Sequence, residues 1–296
     1  MSAKPSISVV LIVFNGENFL AEAIDSVVNQ SLEDWELVVT DDGSTDGTSD
    51  ILRRYQEQLG SKMIICRHPG GQNRGMSAAR NLGVEHASSD VVTFLDHDDV
   101  LEPEKLHLHL EALKRHPDAN YVLSPCLRWF SWNPGLESDE VQDLGPPGDR
   151  MLHSPGLLPK YLLHTASTPI GFTVRTEVLR GLGGFTNVFR SMYEDQVMAA
   201  KLSLTTSGVV VDQPLHRYRQ HALSCVRQTF SSGGHFALRR QFLRWLHPYL
   251  LEHRPDDHAL IKQSQDQLQL LRHEQWAWRK KRLRDHWKAI RRRLGC

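Results

Sequence analysis

Short unbroken apolar runs alternate along this chain with stretches of helical spacing. Ile7–Phe14 (ISVVLIVF) carries one polar residue, Ser8, and predicts a buried strand. Asn15-Gly16-Glu17-Asn18 forms the next loop. Leu20, Ala23, Ile24, Val27 and Val28 then share one face of a helix predicted from Phe19 to about Gln30. Trp35–Thr40 is a second strand, Ser49–Leu59 a second helix, and Lys62–Cys66 a third strand. A helix from about Met76 to His86 precedes a fourth strand, Val91–Leu95. Strands alternating with helices predict an α/β fold with a mainly parallel, Rossmann-like sheet flanked by helices. Further on, a helix is expected from Pro103 to about His116 and a strand over Tyr121–Arg128. Ser131 to about Ser154 reads as a long loop rich in Pro, Gly and acids, and order returns over Tyr161–Arg180. Glu194–Leu204 is predicted helical and Gly208–Asp212 a strand. From about Gly234 the pattern is helical and polar. The expected division is an α/β domain over 1–230 and an α-helical, basic C-terminal extension over 231–296.

The acidic clusters change the picture from fold to chemistry. Asp96-His97-Asp98-Asp99 follows the fourth strand directly. A buried strand must present such charges at its carboxyl edge, where close carboxylates repel unless a cation lies among them. Asp-x-Asp suits Mn2+ or Mg2+, hard ions that prefer oxygen ligands. The alternative is a solvated acidic turn. Asp41-Asp42-Gly43-Ser44 ends the second strand. A carboxylate there can accept the imide N–H of uracil or thymine, or an N–H of guanine. The alternative is a glycine turn with Asp capping a helix, a role expected of Asp46. Asn73-Arg74-Gly75, followed by Ala79-Arg80-Asn81, opens a helix. Arg74 or Arg80 could meet a base or diphosphate, or an Arg there pairs with an aspartate at the sheet edge. In parallel sheets, ligands bind at the carboxyl ends of strands, so these loops are expected to face one crevice.

Bulk properties narrow the classes. Among 296 residues there are 35 Lys+Arg and 35 Asp+Glu, so no global charge argues for nucleic acid. Cys66, Cys126, Cys225 and Cys296 are scattered, which disfavours a zinc site or disulfide scaffold and fits a reducing compartment. Met1-Ser2-Ala3-Lys4-Pro5 leads straight into a strand, so no signal peptide is expected. No apolar run reaches the roughly 18 residues of a membrane span. A cytoplasmic protein is expected, with peripheral contact at the inner face of a membrane as a further option.

The set Asn15, Asp41-Asp42-Gly43-Ser44-Thr45-Asp46, Asn73-x-Gly75, Ala79-Arg80-Asn81 and Phe94-Leu95-Asp96-x-Asp98-Asp99 resembles family 2 of the inverting glycosyltransferases, in order and in spacing. The resemblance continues through Gly183-Gly184-Phe185, Glu194-Asp195 and Tyr218-Arg219-x-His221, so it runs from about Ser6 to Ser224. It implies a GT-A fold. It further implies transfer of a sugar from a nucleotide-diphosphate donor, UDP or dTDP first, to a saccharide or lipid-linked acceptor, as in polysaccharide biosynthesis at the cell envelope. By resemblance, Asn15, Asp41, Asp42, Arg74, Arg80, Asp96 and His221 bind the nucleotide sugar. Asp98, with Asp96, holds Mn2+ or Mg2+. Asp195 is the general base, with Glu194 orienting it or raising its pKa. His221 touches the diphosphate or completes the metal shell, while His97 is the variable position of its motif.

Trp129 and Trp132 flank the long loop, either as stacking faces for an acceptor sugar or as core. In the tail, Trp276, Leu283, Trp287, Ile290 and Leu294 recur at helical spacing among Arg279, Lys280, Lys281, Arg282, Arg284, Lys288 and Arg291-Arg292-Arg293. Such a helix can lie on an anionic membrane, pack on the acidic domain or pair two subunits. Nucleic acid is not an expected partner. Two other functions compete: a non-catalytic sugar-nucleotide-binding protein, and a haloacid-dehalogenase-type phosphatase. The phosphatase would place its Asp-x-Asp after the first strand, whereas three strand signals precede this one.

Overall fold

The computed structural model describes residues 4–133, 135, 137–163 and 171–293, without the side chains of 283 and 285–293. The chain divides into two compact units, Met1–Arg227 and Gln228–Cys296.

The first unit begins with β1 (Ile7–Val13), α1 (Leu20–Val28), β2 (Trp35–Asp41), α2 (Thr48–Leu59) and β3 (Met63–Arg67). Then come α3 (Met76–His86), β4 (Val91–Asp96), β5 (Val100–Leu101), α4 (Lys105–Arg115), β6 (Tyr121–Leu123) and β7 (Cys126–Trp129). β8 (Glu140–Val141), β9 (Arg150–Leu152), α5 (Leu158–Leu162), β10 (Thr173–Arg175) and α6 (Thr176–Gly181) follow. α7 (Glu194–Thr205), β11 (Gly208–Val210), β12 (His216–Arg219) and α8 (Cys225–Ser232) complete this part. The main sheet has the order β3-β2-β1-β4-β10-β6-β11-β9, and a smaller one the order β5-β12-β7-β8.

β1 and β2 are buried along their whole length because helices cover both faces, which is why they read as continuous apolar runs. The α1 face of Leu20, Ala23, Ile24 and Val27 closes one side of this core. Each such aliphatic side chain contributes roughly 1.5–3 kcal/mol over leaving it in water. β1, β2, β3 and β4 are mutually parallel, so their carboxyl ends share one edge. β10 enters antiparallel between β4 and β6.

The strand expected over Tyr121–Arg128 is two strands in different sheets. Ser124-Pro125 breaks it, since proline cannot donate to a ladder. The expected long loop contains β8 and β9, both very short. Gly75 takes φ +89°, and a Cβ there would sit 2.8 Å from the Arg190 carbonyl oxygen, so the turn into α3 requires glycine.

In the second unit, α9 (His235–His253) and α10 (His258–Arg293) lie along each other. Phe242, Leu243, Leu246, Leu250, Leu260 and Leu271 are buried. Trp278 meets Phe236 edge-on at 5.8 Å. The first half of α10 therefore packs within its own unit. Trp276 is exposed beneath the Lys280 ammonium, which lies 3.6 Å from its ring centre. The tail positions Leu283, Trp287, Lys288, Ile290, Arg291, Arg292, Arg293 and Leu294 lie outside the described side chains. Among the described residues, no helix is long and apolar enough to cross a membrane.

Candidate active site

Parallel register sets the site. Val13 pairs with Asp41 and Ile12 with Asp96, so β2 and β4 deliver their terminal carboxylates on either side of the end of β1. At the β2 side, Asp42 accepts from the Arg74 and Gly75 N–H groups, both at 2.8 Å, and thereby folds the Asn73-x-Gly75 loop onto the strand end. Asp41 accepts from Ser44 N–H and from Arg67 Nε, each at 2.9 Å. Asn15, in left-handed backbone at φ +52°, accepts the Thr45 N–H on Oδ1 and donates its own N–H to Ser44 Oγ. It locks the first loop to the second. Asp46 accepts from Thr48 N–H at the start of α2. The Arg74 side chain is exposed at this loop. So is Phe14, 45% exposed at the end of β1, which the apolar run disguised as one more strand residue.

The acidic turn after β4 is unequal in its three carboxylates. Oxygens of Asp96, Asp98 and Asp99 all approach one another within 4.8 Å. Asp99 is buried, meets His216 Nε2 at 2.8 Å and accepts the Arg219 N–H at 3.0 Å. Burial, then the charges of Asp98 and Asp96, push its pKa well above the ordinary carboxylate value. Asp99 therefore anchors β12 to the turn. Asp98 is partly accessible and meets His221 Nε2 at 2.9 Å. Its pKa is lowered: desolvation opposes, but the His221 bond and the His97 and His221 rings prevail. Asp96 is partly accessible, with one oxygen bound by Arg80. His221 Nδ1 is buried without a hydrogen-bond partner. Two part-open carboxylates with an imidazole at their side fit a hard divalent cation.

Arg80 takes the second of the two places the sequence left open to it, paired with an aspartate at the sheet edge. Its side chain is fully buried, with Nη1 on Glu194 Oε1 at 2.8 Å and Nη2 on Asp96 Oδ1 at 2.6 Å. Desolvation opposes its charge, but Asp96 and Glu194 outweigh that and raise its pKa. It cannot reach a base or diphosphate without abandoning two buried carboxylates. Its place is behind the site, as the link between α3, β4 and α7.

Asp195 lies in the first turn of α7, immediately after Tyr193 in left-handed backbone at φ +71° and the buried Glu194. Such strain in a non-glycine residue is commonest at functional sites. Asp195 Oδ1 accepts the Gln196 N–H at 2.7 Å. Its pKa rises to about 7, first through desolvation and next through the Glu194 charge. A carboxylate so tuned can take a proton near neutral pH.

In the sequence Arg219 stands only as a member of the Tyr218-Arg219-x-His221 motif, with no role of its own. It is 3% exposed, with Phe19, Trp129 and Trp132 rings around its guanidinium at 4.7, 4.3 and 5.1 Å. The two tryptophans thus pack against a cation. Trp132 also donates Nε1–H to the Gln220 carbonyl at 3.0 Å.

Residues 8–133 match the family described as Glycosyl transferase family 2. EpsE of Bacillus subtilis (strain 168), named as a glycosyltransferase, is 26% identical over 236 residues, 78% of this chain and 79% of EpsE. The chain spans less of other relatives, 54% of the length of one and 13% of another. Among solved structures, S. aureus TarS 1-349 in complex with UDP-GlcNAc superposes with a TM-score of 0.64 at 18% identity, over 89% of this chain and 70% of that one. Mannosyltransferase PcManGT from Pyrobaculum calidifontis, in complex with GDP-Man and Mn2+, gives 0.58 at 15% identity, over 98% of this chain and 81% of that one. These likenesses give the fold as GT-A.

Proposed function

We propose that this chain, which matches glycosyl transferase family 2 over residues 8–133, is a glycosyltransferase that moves a sugar, with inversion, from a nucleotide-diphosphate donor to a saccharide or lipid-linked hydroxyl, with a divalent cation. One observation carries the reading. A single buried guanidinium, Arg80, ties the Asp96-x-Asp98 turn to Glu194, one residue before Asp195. The acidic turn and the candidate base are thereby one rigid assembly.

The nucleotide end lies at β2. Asp42 accepts two backbone N–H groups and Asp41 accepts one backbone N–H and the Arg67 side chain, so either carboxylate keeps lone pairs for a base imide N–H. Arg67 beside Asp41 offers donors to a base carbonyl. That donor–acceptor pair matches uracil or thymine and opposes cytosine. TarS holds UDP-GlcNAc, which supports UDP. Phe14 offers an exposed ring for the base to stack on, and Asn15 and Arg74 border the same loop.

Asp98 and Asp96, with His221 beside Asp98, would hold Mn2+ or Mg2+. The Mn2+ in PcManGT supports a divalent ion. Its chemistry there is charge neutralisation of the departing diphosphate. Asp195 removes the proton from the acceptor oxygen as that oxygen attacks the sugar carbon. Glu194 keeps Asp195 basic by repulsion while Arg80 holds Glu194 in place. The C-terminal extension contributes a basic surface suited to an anionic bilayer or a second subunit.

A panel of sugar nucleotides with Mn2+, assayed for free nucleoside diphosphate, tests the proposal. Release from one donor, accelerated by an acceptor glycan or lipid, supports it. Tight UDP binding with no release from any donor would make the protein a binding module instead.

A further inference from the structure

Arg219 is a buried cation that the proposed chemistry does not use directly. Four groups from three segments converge on it. Phe19 and Glu22 come from the start of α1, Trp129 from the end of β7, and Trp132 from the loop after it. Three rings surround the guanidinium, and Nη2 meets the Glu22 carboxylate. Nε donates to the backbone carbonyl of Asp98 at 2.8 Å, while the Arg219 N–H donates to Asp99 Oδ1 at 3.0 Å. Two residues later the chain places His221 Nε2 on Asp98 Oδ2. Phe19 touches both partners, since its ring centre also lies 5.1 Å from that of His221.

We propose that Arg219 is a positioning residue for the acidic turn: its caged guanidinium fixes the Asp98 backbone and delivers His221 to the Asp98 carboxylate. Only arginine meets all these demands at once. A planar guanidinium stacks on rings through its face and donates in its plane, whereas an ammonium does neither with directionality. Asp98 is bracketed, with its carbonyl held by Arg219 and its carboxylate by His221. Loss of the bracket would let the turn shift by the fraction of an ångström that ligand geometry cannot tolerate. The inference rests on reading this turn as the cation and diphosphate end of a glycosyltransferase site.

The test compares wild type, Arg219→Gln, Arg219→Lys and Arg217→Gln by calorimetric titration with UDP and Mn2+, alongside thermal melting. Arg217 is the control, an arginine on the same strand that shares the Trp129 ring, at 5.4 Å, but pairs with Glu102 and not with the acidic turn. Arg219→Gln should bind UDP alone as wild type does and Mn2+ in the presence of UDP about 10- to 100-fold more weakly, the usual cost of losing an outer-shell partner. Arg219→Lys should fall between the two, and Arg217→Gln should match wild type. A lower melting temperature with unchanged Mn2+ affinity would make Arg219 merely structural and overturn the proposal. If Arg219→Gln does not fold, Glu22→Gln takes its place, with a several-fold loss of Mn2+ affinity supporting the proposal and none overturning it. If wild type binds neither UDP nor Mn2+, the functional reading fails by itself. Hydrogen exchange in the metal-free chain then decides Arg219. Faster exchange confined to residues 98–99 and 219–221 of the variant supports the bracket, and an unchanged pattern overturns it.

Discussion

Glu194 Oε1 accepts a hydrogen bond from Arg80 Nη1 at 2.8 Å across 114 residues of sequence, with both side chains buried. The other end of the same guanidinium goes to Asp96. The arrangement explains how a helix N-terminus bearing two acids can sit in the protein interior beside the acidic turn. One delocalised cation compensates two carboxylates, and the third acid, Asp195, stays partly protonated near neutrality.

Replacing Arg80 with Met should therefore be severe. Two buried carboxylates would lose their partner, and breaking a buried pair costs about 3–5 kcal/mol. Arg80→Lys keeps the charge but not the fork, and should cost less while still lowering kcat. Urea unfolding of both variants checks the order. Equal stability of Arg80→Met and wild type would mean the guanidinium is not what holds this assembly.

The lesson of Arg80 bears on what the sequence could convey. The Ala79-Arg80-Asn81 motif was recognisable, but a one-dimensional pattern does not say which way a helical side chain points. The partners of Arg80 are set by the packing of α3 on the sheet, and one of them lies 114 residues away. The boundaries of α3 were legible, Met76–His86 in both expectation and structure, because helical spacing and a glycine turn agree there. The split of Tyr121–Arg128 into β6 and β7 was not, because one proline was outweighed by its apolar neighbours. The acidic turn stood out as Asp-x-Asp-Asp. The structural role of Asp99 needed His216 and Arg219, more than a hundred residues further on, to become visible.

Asp195→Asn preserves shape and removes the base. The release of nucleoside diphosphate in the presence of acceptor should fall about 10²–10⁴-fold with donor affinity unchanged. Its stability should move the other way. The Asp195 pKa is raised in the folded state from 3.8 to about 7, so the folded chain binds an extra proton between those values. Wild-type stability is thus lost as pH rises through that window, and Asn does not share the loss. Melting curves should show the variant more stable than wild type at pH 8 and the difference gone near pH 4. A constant difference at both pH values would place the pKa shift elsewhere.

The rate profile gives an independent view of the same group. With an essential base near 7, kcat/KM should climb about tenfold per pH unit up to neutrality and then level. Glu194→Gln removes the second cause of the shift and leaves Arg80 one carboxylate short. Both effects favour ionised Asp195, so the acid limb should move to lower pH while the plateau rate falls. A limb that stays in place would remove Glu194 from the tuning of Asp195.

Asp98→Ala should abolish metal-dependent transfer, and EDTA should do the same to wild type. Two carboxylates and an imidazole make an incomplete shell, so Mn2+ should bind tightly only with the nucleotide present, and the variant should lose that enhancement. Calorimetric titration of Mn2+ with and without UDP measures it. Undiminished activity of wild type in EDTA would mean the acidic turn works without an ion.

The tail yields a prediction that separates surface from scaffold. From Arg279 onward the sequence has nine Lys or Arg and one acid, Asp285. Leu260 and Leu271 are buried earlier in α10, and Trp278 meets Phe236. A chain ending after Trp278 therefore keeps the contacts that hold α9 and α10 together while losing the cations. If those cations serve an anionic bilayer, each contributes roughly 1 kcal/mol near the surface and the effect fades within a Debye length of salt. Full-length protein should float with phosphatidylglycerol vesicles at low salt and release at high salt. The shortened chain should stay behind, with its melting temperature within a few degrees of full length and transfer to a soluble acceptor intact. A marked drop in melting temperature, with neither form bound to vesicles, would assign the basic end to packing instead. A concentration-dependent change of mass lost on truncation would assign it to pairing of two chains.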